Sequence, residues 1–93
     1  MYLMISTYVA PLDEVDAVRD DHLRFIDDLE RRRLLVSAGR QDPPVGGVVL
    51  LAAATEGEAV ALMADDPYVR RGVARYQAIG WQPTRGVLAS WPD

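Results

Sequence analysis

His22 is the only histidine in a chain that has no cysteine, so acid–base chemistry near neutral pH falls first to this imidazole. It lies in the sequence Asp20-Asp21-His22-Leu23-Arg24-Phe25-Ile26, one helical turn from the apolar residues Val18 and Ile26. A histidine in such a stripe is ordinarily a hydrogen-bonded core residue. Aimed into a gap between a helix and a sheet, it could instead move protons for a bound molecule. Asp66, directly before Pro67, has an ordinary reading as a helix N-cap. A carboxylate is also the usual group that orients an imidazole and stabilises its charged form. Spacing in sequence does not say whether Asp66 reaches His22, and Asp20, Asp21 and Asp65 compete for the same role. Asp20 and Asp21 flank His22 on its own helix and should point away from it. A structural zinc site takes about four nitrogen or sulfur ligands, which one histidine without cysteine cannot approach, so no metal is expected.

Two further stretches bear on ligand contact. Ser37-Ala38-Gly39-Arg40 ends a predicted strand and opens a loop, with Gly39 suited to a positive φ. Arg40 adds a cation that could favour an anionic ligand or lie at the surface. Tyr2, Tyr8, Tyr76, Trp81 and Trp91 read as core and interface residues, which strands and contact surfaces favour. The chain has no glycine-rich phosphate loop, nucleophile elbow or dinucleotide fingerprint, and no cofactor is expected.

The elements that must position these residues follow from periodicity. Tyr2 to Val9 is rich in β-branched and aromatic residues and predicts a strand. Pro11 with Asp13 and Glu14 marks a helix start. From Asp13 to Arg33 the residues Val15, Val18, His22, Phe25, Ile26 and Leu29 fall on one face, with Asp16, Asp20, Arg24, Asp27, Asp28 and Arg31 opposite. Arg31-Arg32-Arg33 complements the helix dipole at its end. Leu34 to Ala38 predicts a second strand. Asp42-Pro43-Pro44 and Gly46-Gly47 predict a loop, and Val48 to Ala54 a third strand. Thr55 with Glu58 fits a capping box for a helix to about Asp65. Asp66-Pro67 opens a short helical turn that Gly72 ends, Val73 to Trp81 predicts a fourth strand, and Gly86 to Trp91 a terminal strand or arm.

The order is β-α-β-β-α-β, an α+β fold of ferredoxin-like type with a four-stranded antiparallel sheet and two helices on one face. Val48, Leu50 and Ala52 point one way and Val49, Leu51 and Ala53 the other, so both faces of the third strand want burial. Packing the bare face against a second copy satisfies this, and a homodimer through the sheet is expected.

The length bounds the rest. Ninety-three residues, 49% hydrophobic and 26% charged, make one domain (1–93, core about 1–82, with 83–93 as a C-terminal strand or arm). The net charge is −4, and all ten cations are arginine. An acidic chain of this kind is a poor partner for nucleic acid. No stretch approaches the ~18 apolar residues of a membrane span, and no basic leader precedes the first strand. A cytoplasmic protein without membrane partners is expected.

Several of these motifs together resemble the YciI-like (YCII-related) family of the dimeric α/β barrel superfamily. They are His22-Leu23-Arg24-Phe25-Ile26-Asp27-Asp28-Leu29, Ser37-Ala38-Gly39, Gly47-Val48-Val49-Leu50-Leu51, and Asp65-Asp66-Pro67-Tyr68 followed by Gly72-Val73, Tyr76 and Trp81. Asp-Pro-Tyr is the most specific of them. The resemblance implies a ferredoxin-like fold pairing into a dimeric barrel. It also implies an active site built on a histidine and an aspartate, which map to His22 and Asp66. Ser37, Gly39, Arg40 and Tyr68 are the expected ligand contacts. Arg40 departs from the family pattern, where a proline often follows this turn. A family member of known activity is a dehydrochlorinase of chlorinated hydroxyhydroquinones, and the wider superfamily holds muconolactone isomerases and cofactor-independent oxygenases. The implied function is a cofactor-independent enzyme of lyase or isomerase type acting on an aromatic-derived or lactone-like small molecule. The alternatives are a non-catalytic ligand-binding or accessory dimer and, should His22 prove sealed, a structural interaction module.

Overall fold

The computed structural model describes residues 1–91. Its elements are β1 (Tyr2–Tyr8), α1 (Leu12–Arg31), β2 (Leu35–Arg40), β3 (Gly47–Leu51), α2 (Glu56–Met63), α3 (Pro67–Arg70) and β4 (Ala74–Gly80), followed by a 3₁₀ turn at Val87–Ser90. The strands form one sheet in the order β2-β3-β1-β4, every neighbour antiparallel. This is the ferredoxin-like arrangement expected from the element order.

Strand register decides which side chains meet the helices. Tyr2, Met4, Ser6 and Tyr8 of β1 stand opposite Gly80, Ala78, Tyr76 and Ala74 of β4. Tyr2 and Met4 also face Leu51 and Val49 of β3. Cross-strand partners share a face, so these residues lie under the helices. Met4, Val49 and Leu51 pack with Ile26 and Leu29 of α1 and with Ala59 and Met63 of α2 into the main core. A second cluster joins Val15 and Val18 of α1 to Tyr68, Val73 and Ala74. His22 falls between the two on α1, one turn after Val18 and one turn before Ile26. The apolar stripe is interrupted there by a polar group that needs partners.

The opposite face of the sheet carries Leu3, Ile5, Val48, Leu50 and Ile79, brought together by the pairs Leu3–Leu50, Ile5–Val48 and Leu3–Ile79. The two-sided character of β3 thus resolves into Val49 and Leu51 facing the helices and Val48 and Leu50 facing away.

Local punctuation largely follows the sequence. Thr55 caps α2 by accepting from the Glu58 amide at 3.2 Å, while the Glu58 carboxylate reaches back to the Ala54 amide at 3.1 Å. Gly72 takes φ 69° at the end of α3. Two expectations are corrected. The strand through Ser37 does not stop at Ala38: β2 runs on to Arg40, with Gly39 paired to Val48 and Arg40 to Gly47. Gly39 is therefore extended strand, not a left-handed turn, and a Cβ there would meet nothing within 4 Å. The close approach belongs to Gly46, whose Cβ would lie 1.9 Å from the Ser6 carbonyl oxygen. The segment Gly86–Trp91, expected as a terminal strand or arm, is not a strand: it holds a 3₁₀ turn over Val87–Ser90 preceded by Gly86 at φ 82°; the last two residues of the expected 83–93 strand or arm lie outside the described residues. No helix among the described residues is long and apolar enough to cross a membrane.

Candidate active site

Asp66 caps α3 and is fully buried. Its Oδ1 accepts the Tyr68 amide at 2.9 Å, as an N-cap should. The same carboxylate meets His22, whose Nδ1 lies 2.9 Å from Oδ1 and 3.0 Å from Oδ2. Tyr76 of β4 donates its hydroxyl to Oδ2 at 2.7 Å. One carboxylate therefore both caps a helix and contacts the imidazole of His22. Its competitors are engaged elsewhere or unbonded to His22. Asp65 pairs with Arg70, and Asp21 with Arg24 and Arg71.

The amide of Tyr68 and the hydroxyl of Tyr76 both donate to this carboxylate, so it acts as an acceptor. Nδ1 must then carry the hydrogen, which leaves the lone pair of the neutral ring on Nε2. Among the described residues Nε2 has no hydrogen-bond partner, yet no buried side-chain nitrogen or oxygen there lacks one. It therefore reaches open space, and the His22 side chain retains 14% exposure. The Tyr68 ring stacks on the imidazole with centroids 3.9 Å apart and planes 6° from parallel. Tyr8 meets the Tyr68 ring edge-on at 5.9 Å, and the Arg40 guanidinium lies 5.5 Å from the Tyr8 ring centre. The ring of His22 is thus fixed in its plane by Tyr68 and in its rotation by Asp66.

Burial raises the Tyr76 hydroxyl pKa above its ordinary value, and the Asp66 charge raises it further. The phenol stays protonated and remains a donor to Asp66. Burial, aided by Tyr8, likewise raises Tyr68. Arg40 is held in its charged form chiefly by Asp16, through a 2.5 Å bond from Nη2, while its Nε donates to the Tyr8 hydroxyl at 3.0 Å.

These groups surround a cavity of about 120 Å³ open to solvent. Arg19, His22, Leu23 and Ile26 line it from α1, a spacing of three, four and seven residues that puts them on one helical face. Ala38, Gly39 and Arg40 line it from β2, and Tyr8, Tyr68 and Tyr76 complete the aromatic wall. Of the residues expected from sequence, His22, Gly39, Arg40 and Tyr68 meet at this cavity, with Asp66 directly behind His22. Ser37 does not. A bulge between Leu35 and Ser37 puts Ser37 opposite Leu50, on the face away from the helices. Tyr8 and Tyr76, read as core or interface residues, do pack against the two core clusters, but sequence reasoning missed that they also line the cavity and passed over Arg19 and Ser6. Arg19 was detectable, one turn before His22. No cluster of three or more His, Cys, Asp or Glu side chains suited to a metal ion occurs among the described residues.

The fold and this site define a ferredoxin-like domain with a histidine–aspartate pair at a small open cavity. The family model of the YCII-related domain matches residues 1–82, and the chain belongs to that family. No curated protein sequence matches the chain. Among solved structures it is similar to 5-chloro-2-hydroxyhydroquinone dehydrochlorinase (TftG) from Burkholderia phenoliruptrix AC1100, in complex with 2,5-dihydroxybenzoquinone. That likeness has a TM-score of 0.70 at 17% identity and covers 87% of this chain and 93% of the other. It supports the fold.

Proposed function

We propose that the protein is a cofactor-independent enzyme of lyase or isomerase type, in which His22 moves a proton of a small aromatic-derived or lactone-like substrate. The observation that carries this reading is the division of labour on one imidazole that lines the cavity: Nδ1 is bonded to buried Asp66, and Nε2 is accessible and unbonded among the described residues. A base arranged in this way takes a proton from a carbon next to a carbonyl, or from a hydroxyl. The imidazolium that forms is stabilised by the carboxylate behind it. For an isomerisation, Nε2 returns the proton to another atom of the same substrate. For an elimination, the electron pair of the broken C–H bond forms a double bond, and a leaving group departs with its own pair. The dehydrochlorinase activity named for TftG is an overall loss of hydrogen chloride and supports the lyase reading. His22 is not sealed in the core, so the interaction-module alternative loses its premise.

Deuterium exchange tests the reading without knowledge of the physiological substrate. A panel of small enolisable ring compounds is incubated with protein in D₂O and followed by proton NMR. Wild-type protein should accelerate exchange or conversion of at least one compound, and His22→Gln should not. Accelerated exchange separates an enzyme from a binding-only dimer.

The apolar face Leu3, Ile5, Val48, Leu50 and Ile79 supports the proposed homodimer. Val48 is half-buried and lies on that face, so a charge placed there would be sealed in a dimer interface without a partner, at a cost of several (~3–5) kcal/mol. Val48→Glu should give a folded monomer by light scattering at micromolar concentration, where wild type gives twice the 10.3 kDa chain mass. Equal masses for the two proteins would contradict the proposed interface.

A further inference from the structure

We propose that the cavity takes a small monoanion: a body no larger than about one six-membered ring, with a carboxylate or other anionic head held at the mouth by Arg19 and Arg40. The inference rests on the reading of this cavity as the reacting site and names the chemical class of its ligand.

Charge is the first support. Arg40 is pinned by Asp16 and Tyr8, which use its Nε and Nη2. A guanidinium has five N–H donors in a rigid fork, so donors remain for a ligand. Asp16 offsets the Arg40 charge. Arg19 has no such counterpart: its side chain forms no ion pair among the described residues, although it lines the same cavity in a chain of net charge −4. Asp66 does not supply the missing charge at the mouth, because it is buried behind His22 and already accepts from three groups. The surplus cation lining the cavity is therefore Arg19, which shares that lining with a guanidinium already fixed in place. Charge-assisted bonds of this type are the strong ones, and two arginines suit a planar bidentate anion.

Size is the second support. An apolar cavity of about 150 Å³ holds benzene. The cavity here is about 120 Å³ and open, so a single ring or short branched chain fits if its polar head projects toward solvent. A fused bicyclic body does not. Leu23, Ile26 and Val49 with the tyrosine rings offer such a body apolar and aromatic walls. The head then sits at the arginines, leaving the body beside His22 Nε2.

The test uses three probes of known structure, benzoate, benzamide and 2-naphthoate, titrated into the full chain and followed by calorimetry and the His22 ring signals. Benzoate should bind in the millimolar range or better and move those signals. Benzamide, of the same shape without the charge, should bind about ten-fold or more weakly, the effect of losing one charge-assisted contact. Arg19→Gln should bring benzoate down to the level of benzamide without changing the melting temperature, since Arg19 is exposed and in no ion pair among the described residues. 2-Naphthoate should fail to compete with benzoate. Equal binding of benzoate and benzamide, an undiminished preference in Arg19→Gln, or no benzoate binding at millimolar concentration would each overturn the anion assignment, and strong 2-naphthoate binding would overturn the size limit. These readouts do not depend on turnover. Charge-selective binding lost in Arg19→Gln, alongside deuterium exchange that survives His22→Gln, would leave the anion site standing while the proton-transfer reading fell.

Discussion

Replacing His22 with glutamine is expected to abolish catalysed exchange or conversion, a loss of roughly a hundred- to ten-thousand-fold, while the protein stays folded. Glutamine keeps an amide that can donate to Asp66, so the buried carboxylate is not left without this partner. It cannot accept a proton and hold it as a cation. Packing changes modestly, because the imidazole touches Tyr68 by stacking and fills no sealed cavity. The melt of His22→Gln should therefore stay near that of wild type while its activity disappears. Residual activity within a few-fold of wild type would assign the proton transfer to another group.

Asp66→Asn should damage both stability and activity, through different contacts. The carboxylate accepts from the Tyr68 amide, the Tyr76 hydroxyl and His22 Nδ1 at a fully buried position. An asparagine offers one oxygen and turns an amide N–H toward at least one of these donors. Breaking a buried, charge-assisted arrangement in this way costs about 3–5 kcal/mol. In a domain of this size each kcal/mol shifts the melting temperature by about 4–8 °C, so a drop of more than about 10 °C is expected. Activity in the protein that remains folded should also fall, because the ring loses its fixed tautomer. Urea melts read beside exchange kinetics separate the two effects. An unchanged melt would mean that Asp66 is neither the cap nor the partner described here.

How much of this was legible in the sequence depends on whether a feature is local. The stripe Val15, Val18, Ile26 and Leu29 follows from helical period alone, and with it the break at His22. The Asp66 cap is equally local, since Pro67 announces it. The contact between these residues spans 44 positions. No local pattern encodes it; the family resemblance pointed to the pair. Tyr8 and Tyr76 do pack against the core, but their second role at the cavity was missed for a related reason. Aromatic residues on strands resemble core, and only the register, which sets Tyr76 beside Ser6 and so under the helices, shows that they wall a cavity. Ser37 was misplaced by a bulge: one extra residue in β2 flips its face, and alternation in the sequence cannot reveal it. Gly39 suggested a turn because glycine permits one, but pairing with Val48 kept it extended.

The most direct measurement of the central claim is ¹⁵N NMR of the imidazole, unambiguous because the chain has a single histidine. With Nδ1–H donated to Asp66, the neutral ring should be the Nδ1–H tautomer, its Nε2 showing the shift of an unprotonated nitrogen, and Asp66→Asn should erode that preference. A neutral ring protonated at Nε2 in the wild-type protein would contradict the account, because the nitrogen that faces the cavity would then be a donor with no lone pair to accept a proton.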